Sequence, residues 1–531
     1  MSNVIKDTNR EGNGISLIEK GKQGVLHAIF SRLGICLLLL VLQFGLLFVV
    51  FKKFGEFLPH IYGITILFSI FVVLYVLNTE INPTAKITWL ILIMTLPVFG
   101  SLLFLYIQAD IGHKALKEVV SKTIDSTKEK IPQDEAIFKS FEAKDPGAAS
   151  LAKYVASSGC YPVYNKSEVT YFPVGEDKFA QMMIELEKAK KFIFMEYFIV
   201  NEGYMWGQIL EVLARKAKEG VDVRITYDGT CEFALLPRDY KDRLKKLGIK
   251  CKVFAPVMPF ISTHYNNRDH RKILVIDGET AFTGGINLSD EYINRRKKYG
   301  HWKDTAVMVK GPAVKTFTLM FLQMWSLKEE HDESFDQYLN ASTASIENAN
   351  GFVMPYGDSP VDRDKVGRQV YIDILNRATK YVHIMTPYLI LDGETESALK
   401  FAAERGVDVE IILPGIPDKF VPFSLAYTHY KTLLESGVKI FEYSPGFVHA
   451  KSFVADDKEA VVGTINLDYR SLYHHFECAA YMYESDCIPD IERDFNSTKG
   501  ECLQRNLTNI HDISAKRKIT GFLTKALAPL L

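Results

Sequence analysis

The chain has 531 residues, with 63 basic against 64 acidic side chains and a hydrophobic fraction of 47%. That length holds two or three domains, and so even a charge balance argues against wholesale nucleic-acid binding. The seven cysteines (Cys36, Cys160, Cys231, Cys251, Cys478, Cys487 and Cys502) form no CxxC pair and no Cys/His cluster, which excludes a disulfide framework and a zinc site and leaves reduced thiols facing a cytosol.

In chain order, residues 1–22 are polar and mixed in charge, without the apolar core of a cleaved signal peptide. Residues 1–110 then read as a membrane region with three candidate spans, 33–51, 61–77 and 87–107, the last carrying Pro97 and Gly100. The middle one also suits a re-entrant segment. Lys20, Lys22, Arg32 and Lys86 on one side balance Lys52, Lys53, Lys114, Lys117 and Lys122 on the other, so the basic residues set no orientation. Residues 111–150 read as a charged helical linker leading off the membrane. An α/β pattern follows: strand at 191–200, helix at 207–218, strand at 221–227, helix at 241–247, strand at 251–254, and a buried hairpin over 268–288. Residues 330–350 are small and polar and read as a connection between two halves.

Those halves repeat each other. AKKFIFMEYFIV from Ala189 matches ATKYVHIMTPYLI from Ala378, EGVDVRITYDG from Glu219 matches RGVDVEIILPG from Arg405, and LKKLGIK from Leu244 matches LLESGVK from Leu433. The series ends with HRKILVIDGETAFTGGIN from His270 against HAKSFVADDKEAVVGTIN from His449. Order is kept throughout, which unrelated helices and strands would not do. The halves are placed at 151–340, with its motif at 264–291, and 352–531, with its motif at 443–470. The first half carries about ten extra residues within 255–269, a lid or substrate loop in character.

The doubled motif sets His270, Lys272, Asp277, Gly284 and Asn287 against His449, Lys451, Asp456, Gly463 and Asn466. Two histidines, two lysines and two asparagines without metal ligands suit an anionic, oxygen-rich group such as a phosphodiester. Lys272 and Lys451 neutralise its oxygens, and Asn287 and Asn466 donate hydrogen bonds to them. One imidazole attacks phosphorus; the other protonates the leaving alkoxide and then deprotonates the incoming hydroxyl. Each histidine needs an orienting carboxylate, and HWKDTAVMVKG from His301 against HFECAAYMYES from His475 supplies Asp304 and Glu477. Within the first motif, Asp304 reads as the partner of His270. Asp277 and Asp456 lie at the far end of their hairpins, where they suit a turn.

HxKx4D followed by a glycine and Asn, twice in one chain, resembles the phospholipase D superfamily. The preceding NPTAKITWLILIMTLPVFGSLLFLY and the closing FLTKALAPLL are similar to bacterial cardiolipin synthases. That resemblance implies an α/β fold: N-terminal transmembrane helices followed by two pseudo-twofold-related phospholipase D-type sandwich domains sharing one cleft. It counts Asp277 and Asp456 within the catalytic motif. It makes His270 the nucleophile and His449 the general acid/base, a choice the symmetry of the sequence leaves open. It implies transfer of a phosphatidyl group through a phosphohistidine, with two phosphatidylglycerol molecules giving cardiolipin and glycerol. No cofactor, metal or nucleic acid is expected. The expected partners are phosphatidylglycerol and other anionic phospholipids, in a multi-pass protein of the bacterial cell membrane whose catalytic region faces the cytoplasm. Phe254 with the residues up to 260, and the tail at 516–531, are candidates to line the approach from the membrane. Gly285 departs from the pattern, which commonly has Ser there; Thr464 keeps the hydroxyl in the second copy. A phospholipase D using water as acceptor would carry the same motifs, as would a phosphodiesterase acting on nucleic acid.

Overall fold

The computed structural model describes residues 45, 58–108, 111–255, 267–327, 334–340 and 344–530. The expected span at 33–51 lies outside the described residues apart from Gly45, and so do residues 256–266 of the expected loop ahead of His270. The chain divides into two compact units. Among the described residues, the larger runs from Ala115 to Lys525, and the smaller holds the residues up to Lys114 together with 526–530.

The smaller unit contains α1 (Leu58–Asn78), α2 (Pro83–Thr95) and α3 (Pro97–Gln108). The segment expected at 61–77 falls inside α1. The one expected at 87–107 is not a single helix. It breaks at Leu96, because Pro97 has no N–H to donate and its ring collides with the preceding turn. Asn82 starts α2 by accepting the Thr84 N–H, with Pro83 preset for the first turn. The Trp89 and Phe104 rings meet edge-to-face at 5.2 Å, so α3 folds back along α2. Among the described residues no helix is long and apolar enough to cross a membrane. The spanning helices expected at 61–77 and 87–107 are therefore not seen among the described residues, and the one at 33–51 lies outside them.

The charged stretch expected as a linker folds as α4 (Ile111–Thr127), α5 (Glu135–Lys144) and α6 (Pro146–Ser158). Asp134 and Asp145 cap the last two by accepting backbone N–H groups. Phe141, Leu151 and Val155 are buried in the core of the second half, so α5 and α6 belong to the globular body rather than to a free stalk.

The first half provides β1 (Glu168–Phe172), β2 (Phe192–Tyr197), β3 (Asp222–Asp228), β4 (Lys250–Phe254), β5 (Arg268–Asp269), β6 (Lys272–Ile276), β7 (Thr280–Gly284), β8 (His301–Lys303) and β9 (Ala306–Lys310). The second provides β10 (Phe352–Asp358), β11 (Tyr381–Met385), β12 (Asp408–Pro414), β13 (Lys439–Tyr443), β14 (Gly446–Val448), β15 (Ser452–Ala455), β16 (Glu459–Gly463), β17 (His475–Tyr483) and β18 (Cys502–Arg505). One sheet runs β1-β9-β7-β6-β2-β3-β4, the other β10-β17-β16-β15-β11-β12-β13-β18. The orders correspond strand for strand, with β18 an added edge.

Successive side chains of a strand point to opposite faces, and both faces here are covered. Phe194, Val275 and Val309 share one core with Val454, Val462 and Ala480 of the other sheet, so the sheets pack face to face. The alternate residues, such as Ile193 and Leu274 or Ile384 and Phe453, meet the helices of their own half. The helix Val314–Ser326 is buried nearly all round and sits in the shared core through Phe317, Met320 and Phe321. Within the expected connection at 330–350, Tyr338 is buried against Phe194 and Arg224, so part of it docks.

Candidate active site

The two hairpins β6–β7 and β15–β16 end beside the seam between the halves, and short parallel strands tie each to the opposite half. β5 pairs with the start of β17, and β14 pairs with β8. The His270 N–H donates to the Phe476 carbonyl at 2.9 Å, and the His449 N–H to the Lys303 carbonyl at 2.7 Å. Each histidine is thus hung by its backbone from the residue that immediately precedes the other half's acid, Phe476 before Glu477 and Lys303 before Asp304.

The side chains follow the same crossing. His270 Nδ1 lies 2.9 and 3.0 Å from the two oxygens of Glu477. His449 Nδ1 lies 2.6 Å from Asp304 Oδ2. The expectation that Asp304 serves His270 is corrected: each imidazole is oriented by the carboxylate of the other repeat. The parallel pairing explains it, since β5 runs alongside β17 and carries His270 to Glu477. An ionised carboxylate only accepts, so Nδ1 of each ring holds the proton and Nε2 keeps its lone pair.

All four groups are buried. Burial pushes Glu477 up, but the His270 imidazole and its hydrogen bond outweigh that and hold the carboxyl well below the usual range. Burial drives His270 well below the ordinary imidazole value, against the pull of Glu477. Burial and then the Lys451 ammonium lower His449 to about 4. Burial thus favours the neutral form of both rings.

The lysines lie beneath the rings. Lys272 Nζ donates to the His270 carbonyl at 2.5 Å, and Lys451 Nζ sits 2.9 Å from His449 Nδ1 while also donating to the His449 carbonyl. Burial lowers Lys272 to about 8 and Lys451 to about 7. An arriving phosphate would restore the charge that burial disfavours. Asn287 accepts the Ile199 N–H and donates to Tyr292 Oη. Asn466 donates to Asp468 at 3.1 Å, while its Oδ1 is without a hydrogen-bond partner. One amide hydrogen of each asparagine remains for a substrate oxygen.

Asp277 and Asp456 are not brought to the histidines. Asp277 accepts the N–H groups of Lys190, Lys191 and Phe192, and Asp456 those of Thr379, Lys380 and Tyr381. Both sit at positive φ, +55° and +54°, in the hairpin turns. Counting them as catalytic is therefore corrected: they pin the hairpin to the start of the neighbouring strand. Gly285 is also accounted for. A Cβ there would stand 2.0 Å from Asp304 Oδ1, so a side chain would displace the acid that orients His449. In the second half, Thr464 Oγ1 donates to Glu477 Oε2 and holds that acid in place.

Three neighbours carry no obvious sequence signal. His475 is buried 5.3 Å from His270, ring to ring, with Nδ1 3.6 Å from Glu477 Oε1 and no hydrogen-bond partner on either nitrogen. Its place next to Glu477 in HFE was the only available clue. Phe198 stands edge-on to His270 at 5.0 Å. Lys178, buried and lowered to about 7 by that burial, donates to Tyr197 Oη. Among the described residues, two groups bring ligand atoms near enough together for a metal: His270, His475 and Glu477, and His383, Asp408 and Glu410. In each, the acid already accepts from the protein: Glu477 from His270 and Thr464, Glu410 from Lys439 and Lys499.

Residues 182–325 and 371–499 match the family model described as cardiolipin synthase, PLD-like domain. An uncharacterised protein of Streptococcus mutans serotype c is 54% identical over 86% of this chain and 99% of its own. A cardiolipin synthase of Alkalihalophilus pseudofirmus is 33% identical, covering 87% of this chain and 92% of its own, and one of Geobacillus kaustophilus is 32% identical with the same coverage. Among solved structures, phosphatidylserine synthase of Haemophilus influenzae aligns with a TM-score of 0.53 at 15% identity, over 70% of this chain and 95% of that one, a likeness of fold.

Proposed function

The chain belongs to the cardiolipin synthase family of the phospholipase D superfamily, and from that membership we propose that it is a membrane-bound phosphatidyltransferase making cardiolipin and glycerol from two phosphatidylglycerol molecules. The observation that carries the reading is the crossed pairing of His270 with Glu477 and His449 with Asp304. It supplies two neutral imidazoles, each aimed by a buried anion, with two lysines beside them.

His270 Nε2 attacks phosphorus, and the bond from phosphorus to the glycerol oxygen breaks. For that step the proton on the leaving oxygen comes from His449 Nε2, which carries it once the phosphate anion is bound alongside. Glycerol leaves, and the phosphatidyl group stays on His270. The terminal hydroxyl of a second phosphatidylglycerol then gives its proton to His449 and attacks the same phosphorus, which frees His270 and forms cardiolipin. Lys272 and Lys451 neutralise the non-bridging oxygens, and Asn287 and Asn466 donate to them. No cofactor enters the scheme. The substrates and product are bilayer lipids, so the enzyme works at the bacterial cell membrane; a cytoplasmic active site accords with the six free cysteines of the described residues.

The test is a product analysis on purified protein with phosphatidylglycerol. Cardiolipin plus glycerol is expected, abolished in His270→Asn and His449→Asn. Phosphatidate plus glycerol would show that water is the acceptor. A phosphatidyl adduct trapped in His449→Asn and absent from His270→Asn is expected; the reverse would exchange the two roles.

A further inference from the structure

The smaller unit has a geometry that its apolar sequence does not suggest. In a straight helix, Trp89 and Phe104 would lie about 22 Å apart at 1.5 Å per residue. Their ring centroids are 5.2 Å apart, and Phe104 also meets Tyr75, near the C-terminal end of α1, at 6.0 Å. The end of α1, the start of α2 and the end of α3 are therefore level with one another, and the break at Leu96–Pro97 is the far tip. Gly100 permits the fold-back: a Cβ there would stand 2.7 Å from the Leu92 carbonyl oxygen.

The chemistry divides along the same axis. Residues 87–108 carry no charge, while Glu80 and Lys86 precede them and Asp110 and Lys114 follow. Lys86 Nζ donates to the Leu77 carbonyl at 2.9 Å, at the open end. Towards the tip the outer surface is apolar, with Met94 76% exposed and Ile91 and Val98 also open. The threonine hydroxyls of α2 are turned onto helical carbonyls, Thr88 donating to Thr84 and Thr95 to Ile91, and the Ser101 hydroxyl of α3 meets that of Ser69 of α1. Each arm, of 13 and 12 residues, is about 20 Å long, well short of a hydrocarbon core of about 30 Å.

We propose that α2 and α3 form a re-entrant hairpin that enters the hydrocarbon of one leaflet tip first, and that both arms begin and end at the same membrane face. An uncharged tip, Glu80 and Lys86 at the open end, and side chains that no described residue covers fit acyl chains as the surrounding medium. The inference rests on the membrane setting proposed above and goes beyond it, since it fixes a depth and a parity of crossing.

The test uses the full chain in phosphatidylglycerol-containing vesicles, with its native cysteines replaced by serine and single cysteines placed at Asn82, Leu96 or Gln108. A membrane-impermeant maleimide should label Asn82→Cys and Gln108→Cys from the same side. Leu96→Cys should label at least about tenfold less from either side, because its thiol is out of water. Asn82→Cys and Gln108→Cys on opposite sides, or strong labelling of Leu96→Cys from either side, would overturn the proposal. A second measurement avoids the cysteine replacements: Leu96→Trp in otherwise native protein should add fluorescence that brominated acyl chains quench, and absence of added quenching contradicts insertion. Cardiolipin formation is assayed on the same vesicles. A hairpin that labels as expected in protein making no cardiolipin would sink the transferase reading alone; transfer with the wrong labelling pattern would sink the hairpin alone.

Discussion

Replacing Glu477 by Gln removes the anion that aims His270, and replacing Asp304 by Asn does the same for His449. Either should lower kcat by about 10²–10⁴-fold with the fold intact. Because the pairs are crossed, the two losses should fall on different steps. Glu477→Gln, in the second repeat, should slow formation of the phosphatidyl adduct on His270, in the first. Asp304→Asn should leave adduct formation from a substrate with an acidic leaving group nearly normal, since such a group needs no proton from His449. Single-turnover kinetics with that substrate decide it, and an equal loss in both variants would contradict the crossed assignment. The lysines add a pH dependence. Burial lowers Lys451 to about 7 and Lys272 to about 8, so the charges that meet the phosphate are present below those values and are lost above them. On the acid side, His449 is lost as a base near its value of about 4. The profile of kcat/KM in a series from pH 4 to 10 should therefore begin to fall above about pH 7 and fall more steeply above about pH 8; an alkaline side flat to pH 10 would rule out the two ammonium groups as phosphate ligands. At this scale the sequence disclosed residue types and hid partners. Asp304 and Glu477 were found by alignment of the repeats, but alignment cannot show that strands β5 and β14 cross the seam. His475 was invisible for a related reason: two residues before Asp304, where the first half should answer it, stands Trp302, so the symmetry that exposed the site conceals where the halves differ.

The hairpins that present the histidines are held at their far ends. Asp277 takes three backbone N–H groups at 2.7–2.8 Å, and it does so from a turn at positive φ that Asp tolerates. Asp277→Ala leaves those donors without acceptors at the start of β2, at a cost of about 1–3 kcal/mol for each one that water does not reach. The expected result is a lower Tm, with specific activity of the remaining folded protein within a few-fold of wild type. A catalytic role would instead remove activity at unchanged Tm, so the two measurements separate the readings. The motif's acid is thus an element-scale device, which its position after the apolar run already suggested. Strands and helices of the repeats were legible because both faces of each strand are buried and the helices keep their period. The helix break was not, because Pro97 in an apolar run is equally compatible with a kink or a reversal, and it takes the Trp89–Phe104 contact and the approach of Gly100 to Leu92 to distinguish them.

At the scale of the whole catalytic body, each repeat lacks half of what it needs. The first holds His270 but borrows Glu477, and the second holds His449 but borrows Asp304. Their sheets also share one core, in which Val275 and Val309 meet Val454 and Ala480. A lone repeat would expose that sheet face, an apolar patch far larger than a soluble monomer tolerates. It should therefore be recovered as aggregate and show no transfer. Cutting the chain is a different matter when both pieces are present. A protease site inserted within residues 341–343, between the buried Tyr338–Leu339 and β10, leaves every strand pairing described above intact. The cleaved fragments should co-elute, because the shared core and the two crossing strand pairs hold them together, and activity should stay within about threefold of the uncut protein. Full activity in either purified fragment would mean that a single repeat builds its own site, and the crossed geometry would then have no bearing on catalysis. Dissociation of the fragments with loss of activity, restored on mixing, would place the covalent link among the features that hold the site together, with the crossed pairs still required for chemistry.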